Sequence, residues 1–232
     1  MVEILLLGLA LAGDDKEASE ALERFRTAYA SPSVANRSVA VSDLCRVQHE
    51  KTLARAAGFL TADVKEVREA AARGLGGFTD YKKMAVPLLI GALAPNDKEP
   101  TVQVAIFDGL GKLDDVSALP TIHKYFEDKD AKVASAAFAA AGAIRSVSSI
   151  DPIIAHMKEV EKINSQKSGG GGGAPGFSIP GGGGNDPQKA RAKEVMKAIL
   201  KAMQAITKEK WTSAQEWQIW WSRKKATFKI ED

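Results

Sequence analysis

Three stretches of the chain share one spacing of small and apolar residues, and this repeat constrains the fold more than any other feature. The segments VREAAARGLG, VQVAIFDGLG and VASAAFAAAG begin at Val67, Val102 and Val133. Each has Val first, Ala three residues later and Gly nine residues later, and the copies are offset by 35 and 31 residues. Such a period indicates stacked helical units, each of which buries its apolar face against its neighbours.

A second apolar segment follows each copy and carries a proline. These segments are AVPLLIGAL, ALPTIHKYF and SIDPIIAHM, with Pro87, Pro120 and Pro152. Proline is tolerated in the first turn of a helix, where its missing N–H has no intrahelical partner. The pattern therefore predicts a helix that begins near the Val, a turn, and a second helix that begins at the Pro. We call these Val-type and Pro-type helices.

This pattern resembles HEAT repeats of the short, Ala-rich, PBS-lyase-like kind found in bacterial proteins. The resemblance runs roughly from Glu17 to Lys162 and implies an all-α fold, an α-solenoid of about five stacked helical hairpins. We assign the repeat region to residues 14–163, with units at 17–46, 47–78, 82–113 and 117–145. Asp63 and Arg68 fit the family's pattern of an Asp in the turn and an Arg after the Val.

The first residues are typical of a signal peptide. An apolar run from Ile4 to Ala12 stops abruptly before charged residues, and Ala10-Leu11-Ala12 fits a signal-peptidase site. Glu3 opposes the expected positive charge, and a buried first helix is the alternative. We expect a signal peptide at 1–12, cleavage before Gly13, and a periplasmic or secreted protein without a membrane span in its mature chain. A cytoplasmic location is the alternative.

A glycine-rich segment at 164–185 interrupts the helical pattern. Its composition predicts a disordered loop, inserted between the two helices of a fifth unit or linking to an independent domain. Asp186 can cap the helix that follows, with Pro187 at its first position. We prefer the insertion, because the two helices of residues 186–232 would make a poor core alone and would instead close the solenoid.

All four tryptophans fall in the last stretch: Trp211, Trp217, Trp220 and Trp221. After a cap at Thr212 or Ser213, the last three lie at helical i, i+3, i+4 spacing. A stack of repeats must cover its last apolar face, and large rings do so efficiently. We therefore predict a closing helix, with Trp220 the most exposed ring. The stretch also resembles the E-W-x-x-W-W ending that follows HEAT repeats in some exported bacterial proteins; a platform for a carbohydrate or another ligand is the alternative.

The residues give no catalytic or metal-binding pattern. The single cysteine, Cys45, cannot form an intramolecular disulfide or a Cys-based metal site. His123 and His156 occupy similar places in successive Pro-type helices and can approach each other, but no histidine pair has metal-ligand spacing. We predict that the chain is not an enzyme and has no cofactor or metal.

The sequence thus favours a non-catalytic protein-binding or scaffolding role in the cell envelope. We expect another protein or peptide to bind a concave face lined by the Val-type helices. The candidate contact residues are Arg68, Glu69, Arg73, Gln103, Asp108, Lys132, Ser135 and Trp220. The resemblance also allows rivals, since bilin lyases and alkylpurine DNA glycosylases are HEAT-like. Nucleic acid is disfavoured, because residues 186–232 carry a net +5 (11 Lys/Arg against 6 Asp/Glu) and the remainder −2 (21 against 23).

Overall fold

The structure of the chain, a computed structural model, describes residues 2–165 and 186–230, with the backbone alone for 2–14. Its regular elements in these ranges are α-helices and short 3₁₀ turns, without a strand. The chain divides into two compact units, Met1–Ile122 and His123–Asp232. The predicted all-α, HEAT-like fold class is confirmed.

The first unit is built from pairs of neighbouring helices. In sequence order α2 (Val34–Leu44) packs on α4 (Lys65–Leu75), and α4 packs on α6 (Pro100–Leu113), while α5 (Lys82–Leu93) also packs on α6. Small residues allow this, because a Cβ added to Gly76 would lie 2.6 Å from the Cα of Gly109. The glycines therefore permit contact between the two backbones. The helices are α1 (Val2–Tyr29), α2 (Val34–Leu44), α3 (Glu50–Ala57), α4 (Lys65–Leu75), α5 (Lys82–Leu93) and α6 (Pro100–Leu113).

One proline does not stand where the sequence pattern predicted. α5 begins at Lys82, directly after a 3₁₀ turn at Thr79–Tyr81, so Pro87 lies inside the helix and not in its first turn. A proline at this position removes the hydrogen bond to the carbonyl of Lys83. Both residues are exposed, so water can solvate that carbonyl. Solvent exposure is the physical reason that this proline is tolerated within the helix.

Polar side chains join α2 and α4 to the turn of the next hairpin. The guanidinium of Arg37 donates from Nε and Nη2 to the two carboxylate oxygens of Asp63, both at 2.7 Å. Arg68 donates to Oδ1 of the buried Asn96 at 2.9 Å. Because Arg37, Tyr29 and a backbone N–H all donate to it, the pKa of Asp63 lies well below its usual range. The turn aspartate is thus paired with the preceding unit, not with Arg68.

The second unit contains the C-terminal helices. α10 packs on α8 and α9, and α11 packs on α9. A Cβ added to Gly142 of α8 would lie 2.8 Å from the Cα of Ala202, so α8 and α10 approach as closely as α4 and α6 do. Residues 166–185, with most of the predicted glycine-rich loop, lie outside the described residues. The helices are α8 (Ala131–Ile144), α9 (Ile150–Ser165), α10 (Pro187–Thr207) and α11 (Ala214–Lys224), while α7 (Leu119–Lys124) crosses the division between the two units at Ile122 and His123.

Capping residues fix where the last two helices begin. Asp186 accepts a hydrogen bond from the backbone N–H of Gln188, and Pro187 is the first residue of α10, as the sequence predicted. Ser213 caps α11 in a capping box with Glu216. Hydrogen bonds from Ser213 and Thr212 lower the pKa of Glu216, so its carboxylate stays ionised at the positive end of the helix. Both helix starts are therefore set by local chemistry.

The predicted signal peptide coincides with the amino-terminal half of α1. For residues 2–14 the structure gives the helical backbone, and their side chains lie outside the described part. Among the described residues, none of the helices combines the length and the apolar character needed to span a bilayer. Cleavage before Gly13 stays a prediction.

Candidate functional site

Three candidate contact residues of the first unit, Glu69, Arg73 and Asp108, form a paired charge cluster on α4 and α6. Arg73 lies 3.1 Å from the carboxylate of Glu69 and 3.9 Å from that of Asp108. The side chains of Arg73 and Asp108 are about half exposed, at 47% and 46%. Because the opposite charges of this cluster already form ion pairs with one another, an ion pair with a charged partner would add little binding free energy.

Arg68 and Gln103 hold the first unit together and present little surface. The guanidinium of Arg68 bonds to Asn96, and Gln103 is only 3% exposed. The amide of Gln103 donates to the carbonyl of Leu93 at 3.3 Å, at the end of α5. Helical spacing predicted Gln103 as an exposed contact, and this is wrong because the end of α5 covers the first turn of α6. The buried amide instead satisfies a carbonyl that the helix end leaves open.

The candidate residues on α8 of the second unit differ from each other in exposure. Lys132 lies in the first turn, which the carboxylate of Asp130 caps, and it is exposed. Ser135 is half-buried, and its hydroxyl makes no hydrogen bond with another described residue. As a contact for a partner, Lys132 is therefore the more accessible of the two.

Trp220 is buried, and the prediction that it is the most exposed ring is wrong. It is 9% exposed, whereas Trp211 is 37% exposed. The chain after α11 turns back over Trp220 and places Phe228 edge-on against it, with 5.4 Å between ring centroids. Its indole N–H donates to the carboxylate of Glu209 at 3.2 Å. Helical spacing could not reveal this cover, because Phe228 lies beyond the helix.

Hydrogen bonds from buried tryptophans fasten α11 within the second unit. Trp217 is fully buried and donates to the carbonyl of Trp211 at 3.1 Å. Trp221 donates to Asp151 of α9 at 2.9 Å, and Lys225 bonds to the same carboxylate at 2.9 Å. The hydrogen bond from Lys225 is the main reason that the pKa of Asp151 is lowered. A buried indole whose N–H is satisfied is typical of a core position.

The outer side of α11 and Trp211, two residues before the Ser213 cap, form an exposed apolar surface. Trp211 and Ile219, at 37% and 44% exposure, are its apolar centre. They border a depression of about 270 Å³. We call this surface the C-terminal patch; its residues are Trp211, Glu216, Ile219, Trp220, Arg223 and Lys224. The concentration of tryptophan in the sequence pointed to this region, although not to the ring that stays accessible.

A second groove in this unit brings the two predicted histidines to one aromatic ring. His123 and His156 both lie near Phe126 in this groove, with ring centroids 5.2 Å and 6.4 Å from that of Phe126. Burial lowers the pKa of both imidazoles, so both are neutral near pH 7. Nε2 of His123 lies 3.0 Å from the hydroxyl of Ser149. In the described parts of the chain, three or more His, Cys, Asp or Glu side chains nowhere come together to hold a metal ion.

Comparison with known families agrees with this architecture. A family model described as HEAT repeats matches residues 86–163, and one described as PBS lyase HEAT-like repeat matches residues 67–94. A comparison with curated proteins finds no match. The fold and these matches define an all-α repeat protein. Residues 67–163 thus match HEAT repeats, which commonly mediate protein interactions and are typically non-catalytic.

Proposed function

We propose that this protein is a non-catalytic scaffold of the cell envelope that binds another protein through the C-terminal patch. One observation carries the proposal: Trp211 and Ile219 are exposed beside a helix that buried hydrogen bonds hold in place. Interfaces are enriched in Trp and Arg, and energetic hot spots are rigid aromatic anchors. Such an anchor loses little conformational entropy when a partner covers it.

The remaining candidate residues are weaker contacts for the same partner. Arg73 and Asp108 are accessible, but each is already in an ion pair of the α4–α6 cluster. Lys132 is exposed on α8. Stacking of a flat carbohydrate is less well supported than protein binding, since three of the four indoles are buried in packing. The C-terminal patch is therefore the surface to test first.

A capture experiment with matched variants tests the role of the patch. We expect the double variant Trp211→Ala, Ile219→Ser to lose proteins that the wild type retains from an envelope extract. The matched control is Met84→Ser, Leu88→Ser on α5, whose parent side chains are 41% and 39% exposed. Both variants remove a similar area of exposed apolar surface, so nonspecific protein binding should decrease equally in the two. Equal capture by the wild type and both variants would contradict the proposal.

The location in the envelope rests on the amino-terminal sequence. Residues 4–12 are apolar, and Ala10 and Ala12 have the small-x-small spacing of a cleavage site. We expect amino-terminal sequencing of the protein from fractionated cells to begin at Gly13, in a fraction outside the cytoplasm. An intact Met1 in the cytosolic fraction would overturn the location without affecting the test of the patch.

A further inference from the structure

A pocket of about 490 Å³ lies beside the C-terminal patch, where α10 ends and the chain after α11 returns. Lys208, Lys224 and Lys229 are among the residues that line it. Trp220 and Phe228 form part of its wall. We call it the lysine pocket. It shares Trp220 and Lys224 with the C-terminal patch, so one extended ligand can reach both.

The charges of the lysine pocket are unbalanced. None of the three ammonium groups forms an ion pair with another side chain in 15–165 or 186–230. Among the residues that the structure describes, Glu209 is the acidic member of the lining, and its carboxylate accepts the indole N–H of Trp220. The described residues of the lining therefore carry a net +2, from three lysines and one glutamate. Clefts with one sign of charge concentrate ligands of the opposite sign.

The aromatic wall gives the lysine pocket an apolar side. The rings of Trp220 and Phe228 meet edge to face, with centroids 5.4 Å apart and planes at 74°. The hydrogen bond to Glu209 fixes the indole, so the wall is present before a ligand binds. A flat or branched apolar group can pack there while a carboxylate lies among the ammonium groups. This combination selects for a ligand that is both acidic and apolar.

We infer that the lysine pocket binds an acidic side chain of the protein partner, next to an apolar residue that packs on Trp220 and Phe228. The inference rests on the proposed function and adds the chemistry of the segment recognised. Carboxylates bound by lysine ammonium groups form charge-assisted hydrogen bonds, which are stronger than neutral ones. The partner's recognition segment therefore contains Asp or Glu adjacent to an aromatic or aliphatic residue.

Two short peptides test this directly on the full chain. The acidic probe is Ac-Phe-Asp-Glu-NH2, and the neutral probe of equal shape is Ac-Phe-Asn-Gln-NH2. Binding is followed in a ¹H–¹⁵N spectrum through the indole N–H of Trp220, which lies in the pocket wall. We expect the acidic peptide to shift this signal saturably, with at least tenfold higher affinity than the neutral one. Added salt should weaken the acidic peptide selectively.

Matched lysine variants show which lysines bind the acidic peptide. We expect Lys208→Gln, Lys224→Gln, Lys229→Gln to lower the affinity for the acidic peptide at least tenfold. The control, Lys193→Gln, Lys197→Gln, Lys201→Gln, removes the same charge from the exposed side of α10 and should change it less than threefold. Unchanged chemical shifts of the buried indoles will show that both variants are folded.

Three results would overturn the inference. They are equal affinity for the two peptides, equal weakening by the two lysine variants, and no shift of the Trp220 signal at millimolar peptide. Each leaves the proposed function standing, because that is tested by partner capture with Trp211→Ala, Ile219→Ser. Conversely, a lysine pocket that binds the acidic peptide while the patch variant still captures all partners would reject the patch and retain the pocket.

Discussion

Replacing Trp217 by alanine is the sharpest test that α11 is a structural closure of the second unit. Trp217 is fully buried, and its indole packs edge-on against Trp220 with ring centroids 5.7 Å apart. The substitution removes this contact and the hydrogen bond to Trp211, and it leaves a cavity under α11. The helix itself should still form, because Ala has high helix propensity and the capping box is unchanged.

The expected cost follows from the burial. Removing a fully buried Trp or Phe side chain lowers the free energy of unfolding by about 3–5 kcal/mol. In a folding unit of roughly 100 residues, each kcal/mol lowers Tm by about 4 °C. We therefore expect Trp217→Ala to lower the Tm of the second unit by about 12–20 °C. Trp211→Ala, at a side chain 37% exposed, should lower it by no more than about 4 °C.

The distribution of tryptophan provides the assay. All four tryptophans belong to the second unit, so their fluorescence follows its unfolding, while circular dichroism at 222 nm follows both units. Three fluorophores remain in either single variant. A shift for Trp217→Ala no larger than that for Trp211→Ala would refute the reasoning, because a cavity under a closing helix cannot be as harmless as a change at an exposed ring.

Three further predictions follow from single contacts. Gly142→Ala should lower the free energy of unfolding, measured in urea, by about 1–3 kcal/mol, because the added Cβ would meet the backbone of α10. Gly91→Ala, whose added Cβ would have no atom within 4 Å, should raise it by up to about 1 kcal/mol. Burial raises the pKa of the Cys45 thiol to about 12, so a thiol reagent at pH 8 should react only after denaturation. Arg37→Ala should lower the urea midpoint at pH 7, because it removes two hydrogen bonds to Asp63. The pKa of Asp63 is depressed in the folded state, so this loss should be complete above the ordinary Asp pKa of about 4 and should vanish as acid protonates Asp63, whereas a loss of packing would not depend on pH.

The spacing of small residues predicted the helical repeat, because a close helix contact restricts the residue that can stand there. Gly76 lies against the backbone of α6 at Gly109, and Gly142 lies against the backbone of α10 at Ala202. Proline was a weaker guide, since its ring restricts only its own backbone and the turn before it. Pro87 is compatible with several helix starts, and the 3₁₀ turn before Lys82 decided among them.

The polar contacts between hairpins were less predictable than the helices. Asp63 and Arg68 match a sequence pattern, yet Asp63 binds Arg37, 26 residues earlier, and Arg68 binds Asn96, 28 residues later. The repeat pattern fixes the spacing of residues within one hairpin. Which residues of successive hairpins bond to each other depends instead on how far each side chain reaches. For the same reason helical spacing placed Gln103 on an exposed face, although the end of α5 buries it.

The lysine pocket shows why the candidate site could not be obtained from helical periodicity. Lys208 follows α10, Lys224 ends α11, and Lys229 lies in the tail, so no helix wheel contains all three. They converge because Lys208 takes a left-handed backbone with φ 64°, which ends α10, and because Phe228 packs on Trp220 and Trp221 and turns the tail back. The exposed lysines of α10 are the more obvious basic stripe in the sequence, but Lys193, Lys197 and Lys201 do not line the lysine pocket. Charge alone therefore does not define the site. The packing of Phe228 on Trp220 of α11 also forms the apolar wall on which the apolar part of an acidic ligand would pack.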